Sequence, residues 1–247
     1  MPRDFVEIQY QIEFNTPFHF GTGLRRDLID RSVARDAQGY LYLPGSTMKG
    51  VLRERCEQIA RLFSLRANSP HDEQKAVAGF CDDIDVVDRI FGSRYKPGEL
   101  YFDNATMVQE DKDFFDSTQT PKVPKKYLRL QTETRTQTSI SRLLDVVRER
   151  ALYQSEFGIK SLRFGGRIYG YLEGFHLDDS EWSYSLLLLL AGIRFCDRIG
   201  ANKSTGMGEY CCEITNLKVN NAEIQMNNLL ERIEELLLYD DAREELK

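Results

Sequence analysis

"YLYLPGSTMKGVLRERCEQIARLF", Tyr40 to Phe63, decides the fold because it holds the end of a strand, the start of a helix and a helical stripe in one run. Tyr40 to Leu43 is a short apolar strand that stops at Pro44-Gly45. Ser46 is placed to N-cap the helix that follows. Met48, Val51, Leu52, Cys56, Ile59, Ala60 and Phe63 recur at 3.6-residue spacing, so one helix face is expected in the core. Lys49 and Arg53 sit one turn apart in the first two turns, where the macrodipole favours anions over cations. Two readings stay open. Exposed N–H groups and two cations make an anion site, or the cations are a solvated face paired with Glu54 or Glu57.

Upstream, Val6, Ile8, Tyr10, Ile12 and Phe14 alternate with Glu7, Gln9, Gln11 and Glu13, the period of a half-buried antiparallel strand. A Gly- and Arg-rich segment, residues 18–40, joins it to the opening stretch. Downstream, "DDIDVVDRIFGS" reads as a short helix closed by Gly92, and Leu100 and Phe102 mark a strand. Residues 109–127 show no periodicity and are expected to be an insertion or arm. "LRLQTETRTQTSI", residues 128–140, alternates as an exposed hairpin, and "LRFGGRIYGYLEG" is a further strand. Asp178, Asp179 or Ser180 is placed to cap a helix from Trp182 to Cys196, whose five consecutive leucines imply burial on several sides. The loop "RIGANKSTGMGEY" leads to the strand "EYCCEITNLKV". An acidic amphipathic helix over 223–247 follows, with Leu229, Leu230, Ile233, Leu236 and Leu237 inward. This order predicts one α+β domain over 1–247, ferredoxin-like or RRM-like, with helices on one face of an antiparallel sheet.

The 247 residues carry a net charge of −6, of which −5 falls between Glu223 and Lys247 (eight acids, three bases). The remainder is nearly neutral with basic clusters, which is compatible with a nucleic-acid backbone. No apolar run approaches the roughly 18 residues of a membrane span. The N-terminus has no signal-peptide core, so a cytoplasmic protein is expected. Cys56, Cys81, Cys196, Cys211 and Cys212 form no CxxC pair, and with three histidines this argues for reduced thiols rather than zinc.

Three constellations could carry chemistry. In "GANKSTGMGEY", Lys-Ser-Thr precedes the glycines, so this is no P-loop. It is either a phosphate-cradling loop or a helix C-cap with a hairpin turn. Asp27, Asp30 and Asp36 lie among arginines, as metal- or hydroxyl-activating acids or as salt-bridged loop residues. His19 is either a packing residue or an acid–base group. No cofactor fingerprint is present, which disfavours a metabolic enzyme.

"FHFGTG", "LIDRSVARD", "LYLPGSTMKGVLRERC" and "RIGANKSTGMGEY", in that order, resemble the RAMP superfamily of CRISPR effector subunits, in particular the backbone subunit of type III complexes (Csm, Cmr or III-D type). The resemblance implies an RRM-like palm with a protruding β-hairpin thumb, expected at 128–140. Copies or homologues would stack along a guide RNA beside other RAMP subunits and a large signature subunit. In active members an aspartate cuts the target RNA at regular intervals with Mg²⁺ or another divalent cation. That role falls on Asp30, as catalytic residue and metal ligand, while Asp36 is structural. His19, Ser46, Lys49, Arg53, Arg135, Lys203, Gly206 and Gly208 are implied as RNA contacts. The segment 109–127 and the acidic C-terminal helix look like additions to the family pattern. A non-catalytic scaffold subunit is the alternative. A CRISPR RNA processing enzyme would call for an acid–base histidine, and His19, His71 and His176 offer little.

Overall fold

The computed structural model describes residues 3–23, 29–67, 84–93, 96–117, 127–141, 146–174, 176 and 182–239, with the backbone alone for 139–141 and 146–151. The alternating segment is strand β1 (Arg3–Phe14). Its even positions, Val6, Ile8, Tyr10, Ile12 and Phe14, are buried, while the odd ones form the outer face. β1 lies between β7 (Arg163–Glu173) and β8 (Tyr210–Val219), antiparallel to both. Beyond β7 lie β3 (Leu100–Phe102) and β4 (Ala105–Met107), and β2 (Tyr42–Leu43) pairs with β4. A two-residue β9 (Ala222–Glu223) covers one end of β8.

Helix α1 (Gly45–Leu62) connects β1 to the β3–β4 side, and helix α4 (Tyr184–Phe195) connects β7 to β8. These are two split β-α-β units around the β7–β1 pair, the ferredoxin-like topology expected from the sequence. Met48, Leu52, Cys56, Ile59 and Ala60 of α1 are buried, with Val51 and Phe63 half-buried beside them. The leucines at 186–190 are all fully buried. The short helix α2 (Val86–Phe91) is capped by Asp85, whose carboxylate accepts from Asp88 N–H, and closes at Gly92.

Local reading of caps and ends needs four corrections. Ser46 does not cap α1. The helix begins at Gly45, two residues earlier than a Ser46 cap would set it, with Pro44 as N-cap and no side-chain cap hydrogen bond from that residue, and Ser46 is an exposed first-turn residue. The Gly45 N–H is taken by Asn104 Oδ1 at 2.9 Å. Gly45 must be glycine, because a Cβ there would sit 2.0 Å from Phe102 O. The helix start is therefore jammed against the β3–β4 turn, which supplies the cap. Helix α4 is capped by Ser183, which accepts from Leu186 N–H at 3.2 Å, and the caps proposed at 178–180 lie outside the described residues.

Part of the segment read as an arm is helix α3 (Gln109–Ser117). Phe115 anchors it in the core, Asp111 accepts from Arg163 (2.6 Å), and Tyr40 O–H donates to Asp116. Its pattern is hidden by acids that serve long-range partners. Residues 118–126 lie outside the described set. The acidic tail is not one helix. After β9 come α5 (Met226–Leu230) and a 3-10 turn, Ile233–Leu238. Leu229 and Leu236 are buried but Leu237 is exposed, because the chain changes direction around Arg232 to keep both leucines on the core.

β5 (Thr132–Ser141) and β6 (Val146–Gly158) form a separate two-stranded antiparallel hairpin. The expected 128–140 hairpin thus covers most of a 3-10 turn (Tyr127–Gln131) and most of the first strand, while the return strand reaches Gly158. "ALYQSEF", residues 151–157, runs apolar then polar without alternating, so the return strand carries no period-two signal of its own. No described helix is long and apolar enough to cross a membrane.

At one end of the sheet, Glu173 accepts from Lys96 and from Arg3 (2.7 Å). The Lys96 bond holds this carboxyl below the ordinary glutamate value, with burial opposing and Arg3 assisting. The folded pKa is lowered, so the contribution is fully present above the unfolded value of about 4.3. It is lost as pH falls through the folded value. Thermal melts from pH 7 to pH 3 should show the gap between wild type and Glu173→Gln closing on acidification. A constant gap would refute the assignment.

Candidate functional site

All four of the quoted motifs meet in one open cleft of about 590 Å³. His19, Phe20, Gly21, Asp30, Arg31 and Ser32 line it from the Gly- and Arg-rich segment, Thr47 and Val51 from the first turns of α1, and Gly200 and Ala201 from the glycine loop. The meeting follows from topology. The segment leaves the end of β1, α1 starts beside it, and the loop enters β8, the neighbour of β1. Backbone bonds fasten them: Ala201 N–H donates to His19 O (3.0 Å), and Gly208 N–H to Pro17 O (2.8 Å).

Asp30 and Arg31 lie along β6 as a short parallel bridge, Arg31 against Ser155. Their N–H groups donate to Gln154 O (3.0 and 3.2 Å), and Glu156 N–H donates back to Arg31 O (2.9 Å). Gln154 N–H donates to the Asp30 carboxylate Oδ2 at 3.0 Å. The aspartate therefore stands at the cleft on the hairpin's edge, half-buried. Asp36 is a turn residue, its Oδ1 accepting from the N–H groups of Gln38, Gly39 and Tyr40. Asp27 lies outside the described residues.

His19 is buried, with Nδ1 2.7 Å from Glu156 O. A carbonyl only accepts, so Nδ1 carries the proton in this bond and Nε2 is the acceptor in the neutral ring. The ring packs against Phe157 at the hairpin base, 5.7 Å between centroids. Arg135 lies over the other reaches of Phe157 (5.5 Å), pairs with Glu133 and approaches Met207 Sδ at 4.0 Å, so the hairpin touches the glycine loop. Arg31 covers Tyr153 at 4.8 Å. Phe157 and Tyr153 were not singled out from the sequence, for want of the β6 assignment.

The two cations of α1 part company. Arg53 donates to Glu57 (3.0 Å), to Asp88 (2.7 Å) and to Gly92 O, with all three side chains largely buried. In the chain by itself its charge is committed to holding α2 on α1. Lys49 makes no ion pair with a described residue. Burial, then the neighbouring Arg53, holds its ammonium below the ordinary lysine value. A cation so disfavoured gains from an incoming anion. Ser46 is exposed in the first turn.

The glycine loop is mainly a structural turn. Gly206 N–H donates to Lys203 O and Gly208 N–H to Pro17 O, so these amides are not available as an anion cradle. Gly208 has φ +71°, and a Cβ there would meet Ile199 O at 2.0 Å. Lys203 pairs with Glu54 at 2.9 Å, half-exposed, where a stronger anion could displace the glutamate. Among the described residues no three His, Cys, Asp or Glu side chains cluster as a metal site. Asp30 alone does not fit a resident metal.

The RAMP superfamily model matches residues 11–211. No curated protein sequence matches the chain. Among solved structures, a chain of the type III-B Cmr-beta complex bound to cognate target RNA, determined by cryo-EM, is similar at a TM-score of 0.52 and 13% identity. The match covers 91% of this chain and 98% of that one.

Proposed function

The chain belongs to the RAMP superfamily, and on that premise we propose that it is a guide-RNA-binding backbone subunit of a type III CRISPR effector complex that cuts complementary target RNA through Asp30. The observation that carries this reading is the convergence of Asp30, His19, the α1 N-terminus and the glycine loop on one cleft at the foot of a hairpin. Each motif alone has a structural explanation. Their meeting around one carboxylate calls for a ligand with spaced negative charges.

The chemistry asks little of the protein beyond placement. A nucleotide splayed by the hairpin would bring its 2′-oxygen in line with the adjacent phosphorus. The Asp30 carboxylate takes the 2′ proton as the new P–O bond forms and the bond to the 5′-oxygen breaks, and water protonates the leaving oxygen. Lys49 and the exposed Ser46 hydroxyl hold a neighbouring phosphate. His19 presents Nε2 to a 2′-hydroxyl or base edge. A divalent cation would reach this site with the RNA, ligated by Asp30 and by phosphate oxygens, and would neutralise charge on the phosphate.

The deciding experiment assembles the complex on its guide, adds end-labelled complementary RNA and Mg²⁺, and resolves the products on a denaturing gel. Cuts at a regular interval support the reading. Tight target binding with no cuts identifies the chain as a scaffold. Cuts confined to a repeat hairpin identify a processing enzyme. Separately, Lys49→Ala should weaken guide binding and lessen the salt dependence, log K against log salt, by about 0.7, the value of one single-strand phosphate contact. An unchanged slope removes Lys49 from the interface.

A further inference from the structure

Glu156 belongs to the hairpin, is only 5% exposed, and cannot itself touch RNA, yet three groups converge on its carboxylate and two more on its backbone. Its Oε2 accepts from Val33 N–H at 3.0 Å. Its Oε1 accepts from the Arg35 guanidinium at 2.6 Å and from the Thr132 hydroxyl at 2.8 Å. Its backbone adds the N–H to Arg31 O and the carbonyl to His19 Nδ1. Arg35 also reaches Thr132 Oγ1 (3.2 Å) and Gly39 O (3.2 Å). Burial alone would raise this carboxyl, but the N–H of Val33, the Thr132 hydroxyl and Arg35 outweigh it and hold it below the ordinary value. The ionised form is the one the site is built around.

We propose that Glu156 is a positioning residue for cleavage, locking the segment that carries Asp30 to the base of the hairpin so that aspartate and hairpin move as one body. The inference rests on Asp30 being the cleaving residue. Its physical content is a coupling. Val33 and Arg35 lie three and five residues beyond Asp30, and Thr132 opens the first hairpin strand. The carboxylate therefore bridges both strands of the hairpin to the cleft. RNA that displaces the hairpin displaces Asp30 and His19 with it, in register with the nucleotide the hairpin splays.

The test uses the assembled complex with Glu156→Gln, Thr132→Val and Asp30→Ala beside wild type. Glu156→Gln keeps the shape and removes the charge that holds Arg35 and Val33. At saturating target its single-turnover rate should fall on the order of 10- to 100-fold, the scale of an ångström-sized misplacement. The target concentration for half-maximal rate should stay unchanged. Thr132→Val, which leaves the Arg35 pair in place, should fall less in the same direction. In the free protein, hydrogen exchange of the peptide spanning residues 29–34 should accelerate in Glu156→Gln. A wild-type rate in Glu156→Gln beside a dead Asp30→Ala overturns the coupling alone. Wild-type cutting by Asp30→Ala overturns the coupling together with the reading it rests on. Should Glu156→Gln not fold, a wild-type rate in Thr132→Val overturns the proposal. A raised half-maximal concentration at unchanged rate also overturns it, since that is the signature of a binding residue.

Discussion

Asp30→Ala should abolish regular cutting of complementary RNA while guide and target binding persist. The expected loss is about 10²- to 10⁴-fold in single-turnover rate, the range for removing a positioned proton-transfer group. The separation of cutting from binding has a structural reason. Asp30 contributes one half-buried carboxylate to a cleft that is also lined by His19, Arg31, Thr47 and the loop residues Gly200 and Ala201. Its Oδ2 accepts from Gln154 N–H, so alanine leaves one backbone N–H at a solvent-facing edge, a small penalty. The Asp30 and Arg31 backbone bonds to Gln154 do not depend on the side chain, so the segment should stay in place. Asp30→Asn should be equally inactive, since an amide can fill the space but cannot take the proton. Gel assays of cut products beside filter-binding of the same target measure both quantities. Equal loss of binding and cutting would make Asp30 an RNA contact, and undiminished cutting would move the chemistry to another subunit.

Arg53→Ala should destabilise the free protein by about 3–5 kcal/mol, the cost of breaking a buried ion pair from one side. For a chain of this size that is a fall of roughly 6–20 °C in melting temperature. Asp88 and Glu57 are nearly buried and would be left without their guanidinium, and Gly92 O would lose its donor. Arg61, 3.6 Å from Glu57, relieves one of the two. Adding Asp88→Asn to Arg53→Ala should restore part of the loss, because the stranded buried group is then no longer charged. Urea unfolding of the three proteins checks this. Wild-type stability with weakened guide binding would return Arg53 to the RNA interface. Lys49 and Arg53, one turn apart, are therefore expected to fail in opposite assays.

That contrast marks how far the sequence reaches. The alternation of β1, the 3.6-residue stripe of α1, the leucine-rich α4 and the strand β7 were all legible. So was the ferredoxin-like order. Each is a short-range period that burial imposes on one face, and it can be read without knowing what lies opposite. The motifs around His19, Asp30, Lys49 and the glycine loop were legible as candidates by type and order.

Tertiary structure alone decided which partners those candidates meet. Nothing local separates Lys49 from Arg53. Asp88, from a helix 35 residues on, takes one charge and leaves the other. Ser46 has the chemistry of a cap, but Asn104 holds the position because the β3–β4 turn meets the helix start there. The glycine loop looks like a phosphate cradle until Pro17 O takes the Gly208 N–H. Asp30 owes its orientation to Gln154 and Glu156, more than 120 residues away. Sequence patterns record which side of an element is buried. The partner of a charge or a buried donor depends on which distant segment folds against it, and so is set only when the fold closes.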